Sequence, residues 1–190
     1  MVEKFRYGTK EIIVTLLGAG LAVLTYYAES LIFAPGSGPY GLFGYIHLRL
    51  LVVTLSGVFF GPVAGLLAGL GGELLVNVIF LPTINYPNIL ALGIYGFFIG
   101  LYFGKYHFDP DDLSGSTFVD LAGVMLMAGI FCEMLLLPLL GFLFFDRSLF
   151  DAVTDGAMIV IVNSVINMLI CMPVIGLVHA IRRVPKRART

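Results

Sequence analysis

Long apolar runs separated by short polar or glycine- and proline-rich breaks organise this chain. Six runs stand out, at residues 11–28, 47–59, 62–80, 88–104, 117–145 and 157–181. Most approach or exceed the ~20 residues that an α-helix needs to cross a bilayer. The breaks carry turn chemistry. Residues 29–46 include APGSGPYGLFGY, residues 81–87 read LPTINYP, residues 105–116 read KYHFDPDDLSGS, and residues 146–156 form an acidic connection. The second and third runs meet at Phe60-Gly61-Pro62, where Gly61 allows a tight turn and Pro62 suits the first turn of a new helix. The run at 117–145 is long enough to tilt, or to kink at Pro138. The pattern predicts an all-α integral membrane protein: one domain over residues 1–190, built of six transmembrane helices.

Within the runs, small residues recur at helical spacing. Gly61, Gly65 and Gly69 make one row, with Ala64, Ala68 and Gly72 beside it. Gly18 and Ala22 form a further pair. Such rows let a second helix backbone approach closely in lipid, within the chain or on a partner. Polar residues then interrupt the apolar runs: Glu73 and Asn77, Asn88 and Tyr95, Glu133, and Asn163, Ser164 and Asn167. Polar groups in hydrocarbon are costly and usually face a bundle interior.

Composition agrees with a membrane chain: 59% of the 190 residues are hydrophobic and 12% charged, against roughly 25% charged in a soluble domain. The distribution of basic residues fixes an orientation. With the N-terminus in the cytoplasm, Lys4, Arg6, Lys10, Lys105, Arg182, Arg183, Lys186, Arg187 and Arg189 all lie inside, and only Arg49 and Arg147 lie outside. Both termini are then cytoplasmic. The breaks at 29–46, 81–87 and 146–156 are external. Asn77, Asn88, Asn163 and Asn167 fall in the outer half of the membrane, with Glu133 near the middle. These residues, with Tyr95, Glu73 and Arg49, suggest an occluded pocket opening outward, capped by Tyr40, Tyr45 and Tyr86.

Several function classes are excluded. There is no P-loop, so the chain does not hydrolyse ATP itself. There is no Gly-x-Ser-x-Gly, and His47, His107 and His179 fall at different membrane levels, without zinc or haem spacing. No cofactor, metal or nucleic acid is expected, and Cys132 and Cys171 read as buried small hydrophobes. No catalytic constellation is present, and the occluded pocket leaves open a self-sufficient ion-coupled transporter or channel using Glu73 and Glu133.

The motifs IIVTLLGAGLAVL, VVTLSGVFFGPVAGLLAGLGGELLVN, NILALGIYGFFIGLYFGK and VIVNSVIN together resemble the S components of energy-coupling factor (ECF) vitamin transporters, nearest to the riboflavin-type or unassigned branch. The resemblance spans nearly the whole chain. It implies a prokaryotic plasma-membrane subunit that captures a vitamin or precursor from outside, such as a flavin, a pyridoxine or a pyrimidine. It also implies a transmembrane T subunit and two ATPases as partners. By the same resemblance Gly18 and Ala22 correspond to the T-subunit contact, and the ligand would be held by Asn88, Tyr95 and Asn163. Relatives tend to have tryptophans where this chain reads Asn85-Tyr86-Pro87-Asn88, and this chain has no Trp.

Overall fold

A computed structural model describes residues 9–32, 45–105 and 115–187. Every long element among them is helical. In chain order these are α1 (Thr9–Ile32), α2 (Arg49–Phe60), α3 (Pro62–Phe80), α4 (Tyr86–Lys105), α5 (Gly115–Gly129), α6 (Leu137–Phe145) and α7 (Leu149–Arg187). A π-helical stretch, Ile130–Leu136, joins α5 to α6 without a break, so the seven labels describe six rods. Four are long and apolar enough to cross a membrane: Pro62–Phe80, Tyr86–Phe103, Phe118–Phe145 and Leu149–Val178. Large apolar side chains point outward along the rods, among them Leu16, Leu24, Val78, Met127, Leu135 and Leu169. A lipid surround removes the cost that water would impose on such a surface.

Gly61 is the pivot of the first half. Its φ of 88° lies in the region that a side chain disfavours, and its one-residue turn reverses the chain between α2 and α3. The two helices then run antiparallel: a Cβ on Gly65 would sit 3.0 Å from the Gly57 Cα, and further along Arg49 meets Glu73. The next pairing, α3 with α4, is closer still. A Cβ on Gly65 would lie 2.2 Å from the Gly96 carbonyl oxygen, and one on Gly69 2.4 Å from that of Leu92. Gly100 faces Gly61 and Pro62 in the same way. On α1, Gly18 faces Ser56 and Ala68, while Ala22 packs on Gly72 and is 1% exposed.

The small residues therefore pack inside the chain. Gly18 and Ala22 were expected as a T-subunit contact, while Gly65 and Gly69 were left open between packing within the chain and on a partner. All four are covered by neighbouring helices of the same chain, where small residues let the backbones approach closely. Gly61 belongs to the turn and has open space where a Cβ would be.

The second half is α5, the π-helical stretch, α6 and α7. Here α7 runs antiparallel to its neighbour and comes closest at Gly156, where a Cβ would lie 2.1 Å from the Glu133 carbonyl oxygen. The π-helical stretch ends just before Pro138, whose ring nitrogen cannot donate to the preceding turn. The anticipated disturbance at Pro138 thus takes the form of a π-bulge that carries Cys132 and Glu133 into the interior.

The expected connection over residues 146–156 is much shorter, since α7 already begins at Leu149. Ser148 precedes it as a cap: its hydroxyl accepts the Asp151 N–H at 3.5 Å, and its carbonyl accepts the Ala152 N–H at 3.1 Å.

Candidate functional site

The polar residues collect at the end of the bundle that carries the α3–α4 and α6–α7 turns, in two groups. The first is an extension of the glycine row on α3. Four residues past Gly69 comes Glu73, and four further Asn77, so the face that packs by glycine below pairs by polarity above. The Asn88 side-chain amide on α4 donates to Glu73 Oε1. Asn77 donates to the same oxygen at 3.1 Å and accepts the Asn85 N–H at 2.6 Å. Asn85 in turn accepts the Asn88 N–H at 3.3 Å.

Arg49, at the start of α2, completes this group. Its guanidinium lies 3.0 Å from Glu73 Oε2, both side chains being nearly inaccessible. The Tyr26 ring stacks below it, 5.4 Å from the ring centre to the guanidinium carbon. Its backbone N–H donates to Glu29 at 3.2 Å. A buried charge pair of this kind is tolerable only when surrounding donors support it, and Asn77 and Asn88 do so at Oε1. Oε2 has the Arg49 guanidinium as its ion-pair partner and no hydrogen bond among the described residues.

The second group lies between α2, α4, α5–α6 and α7. Asn163 on α7 holds the chain that leads into α2: it accepts the His47 N–H at 2.7 Å and donates to the Tyr45 carbonyl at 2.7 Å. Tyr45 reaches further, donating from its hydroxyl to Asp155 at 3.4 Å. Beneath this latch, Tyr95, Glu133, Asn163, Ser164 and Asn167 line a void of about 10 Å³, room for a single water. Tyr95 shares a hydrogen bond of 3.2 Å with Thr54. Glu133 and Asn167 are 4% and 2% exposed, and neither side chain has a hydrogen-bond partner among the described residues. Both line the void, which therefore suits a polar occupant.

Above the void opens a cavity of about 350 Å³. Leu137, Pro138 and Ile159 form its apolar floor, and Thr83, Asn85, Asn88, Arg147 and Asp155 its polar rim. Ile159 lines both spaces and separates them. The volume falls at the lower end of the ~300–1,000 Å³ typical of small-molecule sites, and the lining mixes apolar with a few polar groups, as such sites do.

The structure thus brings Asn88 to the cavity and Tyr95, Glu133, Asn163 and Asn167 to the void beneath it. Glu73, Asn77 and Arg49 stand behind the wall. Tyr45 sits beside the rim through Asp155. Tyr86 is 63% exposed and lines a separate apolar groove with Leu90, Leu140 and Phe144 on the outside of the bundle, not the cavity. The helix start at Tyr86 turns its ring outward. Tyr40 lies outside the described residues. Thr83, Arg147 and Asp155 were not anticipated as lining residues.

A bundle with several membrane-length apolar helices defines a multi-pass membrane protein, here with a partly polar cavity at one end. The chain belongs to the ECF-type riboflavin transporter S component family, whose model matches residues 9–182. No curated protein and no solved structure matches it. S components are substrate-binding subunits of transporters rather than enzymes.

Proposed function

We propose that this chain captures riboflavin, or a closely related heteroaromatic vitamin or precursor, from the outer face of a prokaryotic plasma membrane. It delivers the ligand inward when coupled to a transmembrane T subunit and two ATPases. The observation that carries this reading is the 350 Å³ cavity at one end of a chain matched by the riboflavin-type family over residues 9–182. The strong cytoplasmic bias of basic residues supports an orientation in which both termini are inside and the cavity opens outward.

In this reading the ring system rests on Leu137, Pro138 and Ile159, and Asn88 meets its polar edge. Movement of Ile159 joins the cavity to the void, where Glu133 and Asn167 gain partners, with Asn163 and Tyr95 beside them. Tyr45 closes over the mouth. Glu73 has a structural role, since Arg49, Asn77 and Asn88 already occupy it. That engagement disfavours an ion-coupled mechanism built on Glu73.

Reconstitution in liposomes tests the coupling. Riboflavin uptake is expected only when the T subunit, both ATPases and ATP are present with this chain. Uptake by this chain alone, driven by an ion gradient, would replace the proposal with a secondary transporter.

A further inference from the structure

The cavity rim holds a cation that nothing described above employs. Arg147 lines the cavity, yet its guanidinium has no ion pair or hydrogen bond among the described residues. Asp146, Asp151 and Asp155 are all close in sequence, so the lack of an ion pair reflects how the side chain is aimed.

The backbone explains the aim. Helix α6 ends in a left-handed cap at Asp146, with φ 51°, the one non-glycine residue with positive φ among those described. The Asp146 N–H returns to the Gly141 carbonyl, and the Arg147 N–H reaches the same oxygen at 3.5 Å. The left-handed position that ends the helix is one that glycine usually fills. It folds Arg147 back along the helix it has just left. There the Arg147 Cδ lies 3.7 Å from where a Gly141 Cβ would stand. Gly141, itself a cavity residue, thus leaves the stem a path along the cavity wall. Arg147 is exposed and lines the same cavity as the apolar residues Leu137, Pro138 and Ile159.

From this geometry, and resting on the reading of the cavity as a flavin-type site, we infer that Arg147 receives an anionic group at the outer end of the ligand, of the phosphate-ester class. The ring system occupies the apolar floor and the charged tail extends to the rim. Guanidinium geometry suits phosphate oxygens, and a rim position leaves the anion partly hydrated, so its desolvation is cheap. Asp155 limits the preference: its carboxylate shares the rim and opposes an anion, with the Tyr45 hydroxyl taking part of its charge.

The test compares riboflavin with riboflavin 5′-phosphate by flavin fluorescence quenching on the full chain in phosphatidylcholine nanodiscs. The wild type is expected to bind the phosphate form about threefold or more tightly, the range for a charge-assisted contact at a solvated site. R147Q brings the ratio of the two affinities to about one, R147K keeps it above one, and D155N raises it. Raising salt from about 0.1 M to 0.5 M lowers the wild-type ratio towards one.

A wild-type ratio of one or less, or a ratio unchanged in R147Q, would overturn the inference while leaving the flavin site standing. Failure of either flavin to bind would remove the flavin reading and this inference with it. A third arm uses nanodiscs containing phosphatidylglycerol. A preference that disappears only there would mean that a lipid headgroup takes Arg147, which also overturns a ligand role.

Discussion

Substituting Gly65 by alanine tests whether the glycine row on α3 sets the geometry of the polar cluster above it. The new Cβ would lie 2.2 Å from the Gly96 oxygen, 2.7 Å from the Gly96 carbonyl carbon and 3.0 Å from the Gly57 Cα. All three neighbours are backbone atoms, so no side chain can rotate away. Ordinary contact begins at 3.4 Å, so α3 and α4 must part by about 1.2 Å. If they part as rigid rods, the Asn85–Asn77 bond grows from 2.6 Å to about 3.8 Å, beyond hydrogen-bonding range. The Asn88–Glu73 bond opens with it. Overpacking costs about 1–3 kcal/mol and each of the two lost hydrogen bonds about 1 kcal/mol, giving roughly 3–5 kcal/mol.

Cys132 and Cys171 supply the assay, being free and fully buried. A thiol-reactive fluorophore reports their exposure as detergent-solubilised protein is heated. Gly65→Ala should lower the midpoint by roughly 5–15 °C. Gly123→Ala is the control, with no atom within 4 Å of the new Cβ, and should leave the midpoint unchanged or raise it through better helix propensity. Equal midpoints for wild type and Gly65→Ala would refute the reasoning. So would an equal loss in Gly123→Ala, since that position has room.

Other substitutions probe the polar groups. Arg49→Met strands Glu73 and should cost about 3–5 kcal/mol, whereas adding Glu73→Gln should recover part of that loss in the same melting assay. Asn163→Ala frees the His47 N–H and the Tyr45 carbonyl, and hydrogen exchange should quicken at residues 45–47 while flavin affinity falls at least tenfold. Glu133→Ala should weaken flavin binding more than Glu133→Gln, measured by fluorescence titration, because glutamine keeps an acceptor at the void. Tyr45→Phe removes only a long, exposed bond to Asp155 and should change affinity less than twofold.

Much of the fold is legible in the residues. Helical periodicity and the breaks locate all six rods, and Gly61-Pro62 marks the hairpin. The row at spacing four is also readable as Gly61, Gly65, Gly69, Glu73 and Asn77, one face that changes from packing to pairing. Its partner is harder to read. Nothing in Gly18 or Gly65 distinguishes a helix of the same chain from one of another, because close approach requires the same small residues in either case. The start of α7 carried a signal that composition obscured: Ser148 with Asp151 three residues on is a capping pattern, hidden inside an acidic stretch that resembles a loop.

The polar lining of the cavity and the void is legible in part. Buried Asn and Glu residues in apolar helices identify themselves by their cost, which is why Asn88, Glu133, Asn163 and Asn167 stand out. Whether such a residue meets a ligand or another side chain depends on rotation and register, and Glu73 and Asn77 turn to each other. Arg147 reads as an ordinary loop cation. Its place on the rim depends on a left-handed Asp146 and a glycine one helical turn and a half earlier, a combination without a local pattern.

The most direct test of the central claim is a riboflavin titration of the purified chain, followed by flavin fluorescence, beside the variant Ala152→Trp. Ala152 lines the cavity, and an indole there fills much of its volume. With melting used to confirm that the variant is folded, the account predicts saturable quenching at one flavin per chain, lost in Ala152→Trp. Undiminished binding in the folded variant, or no saturable quenching in the wild type, would contradict it.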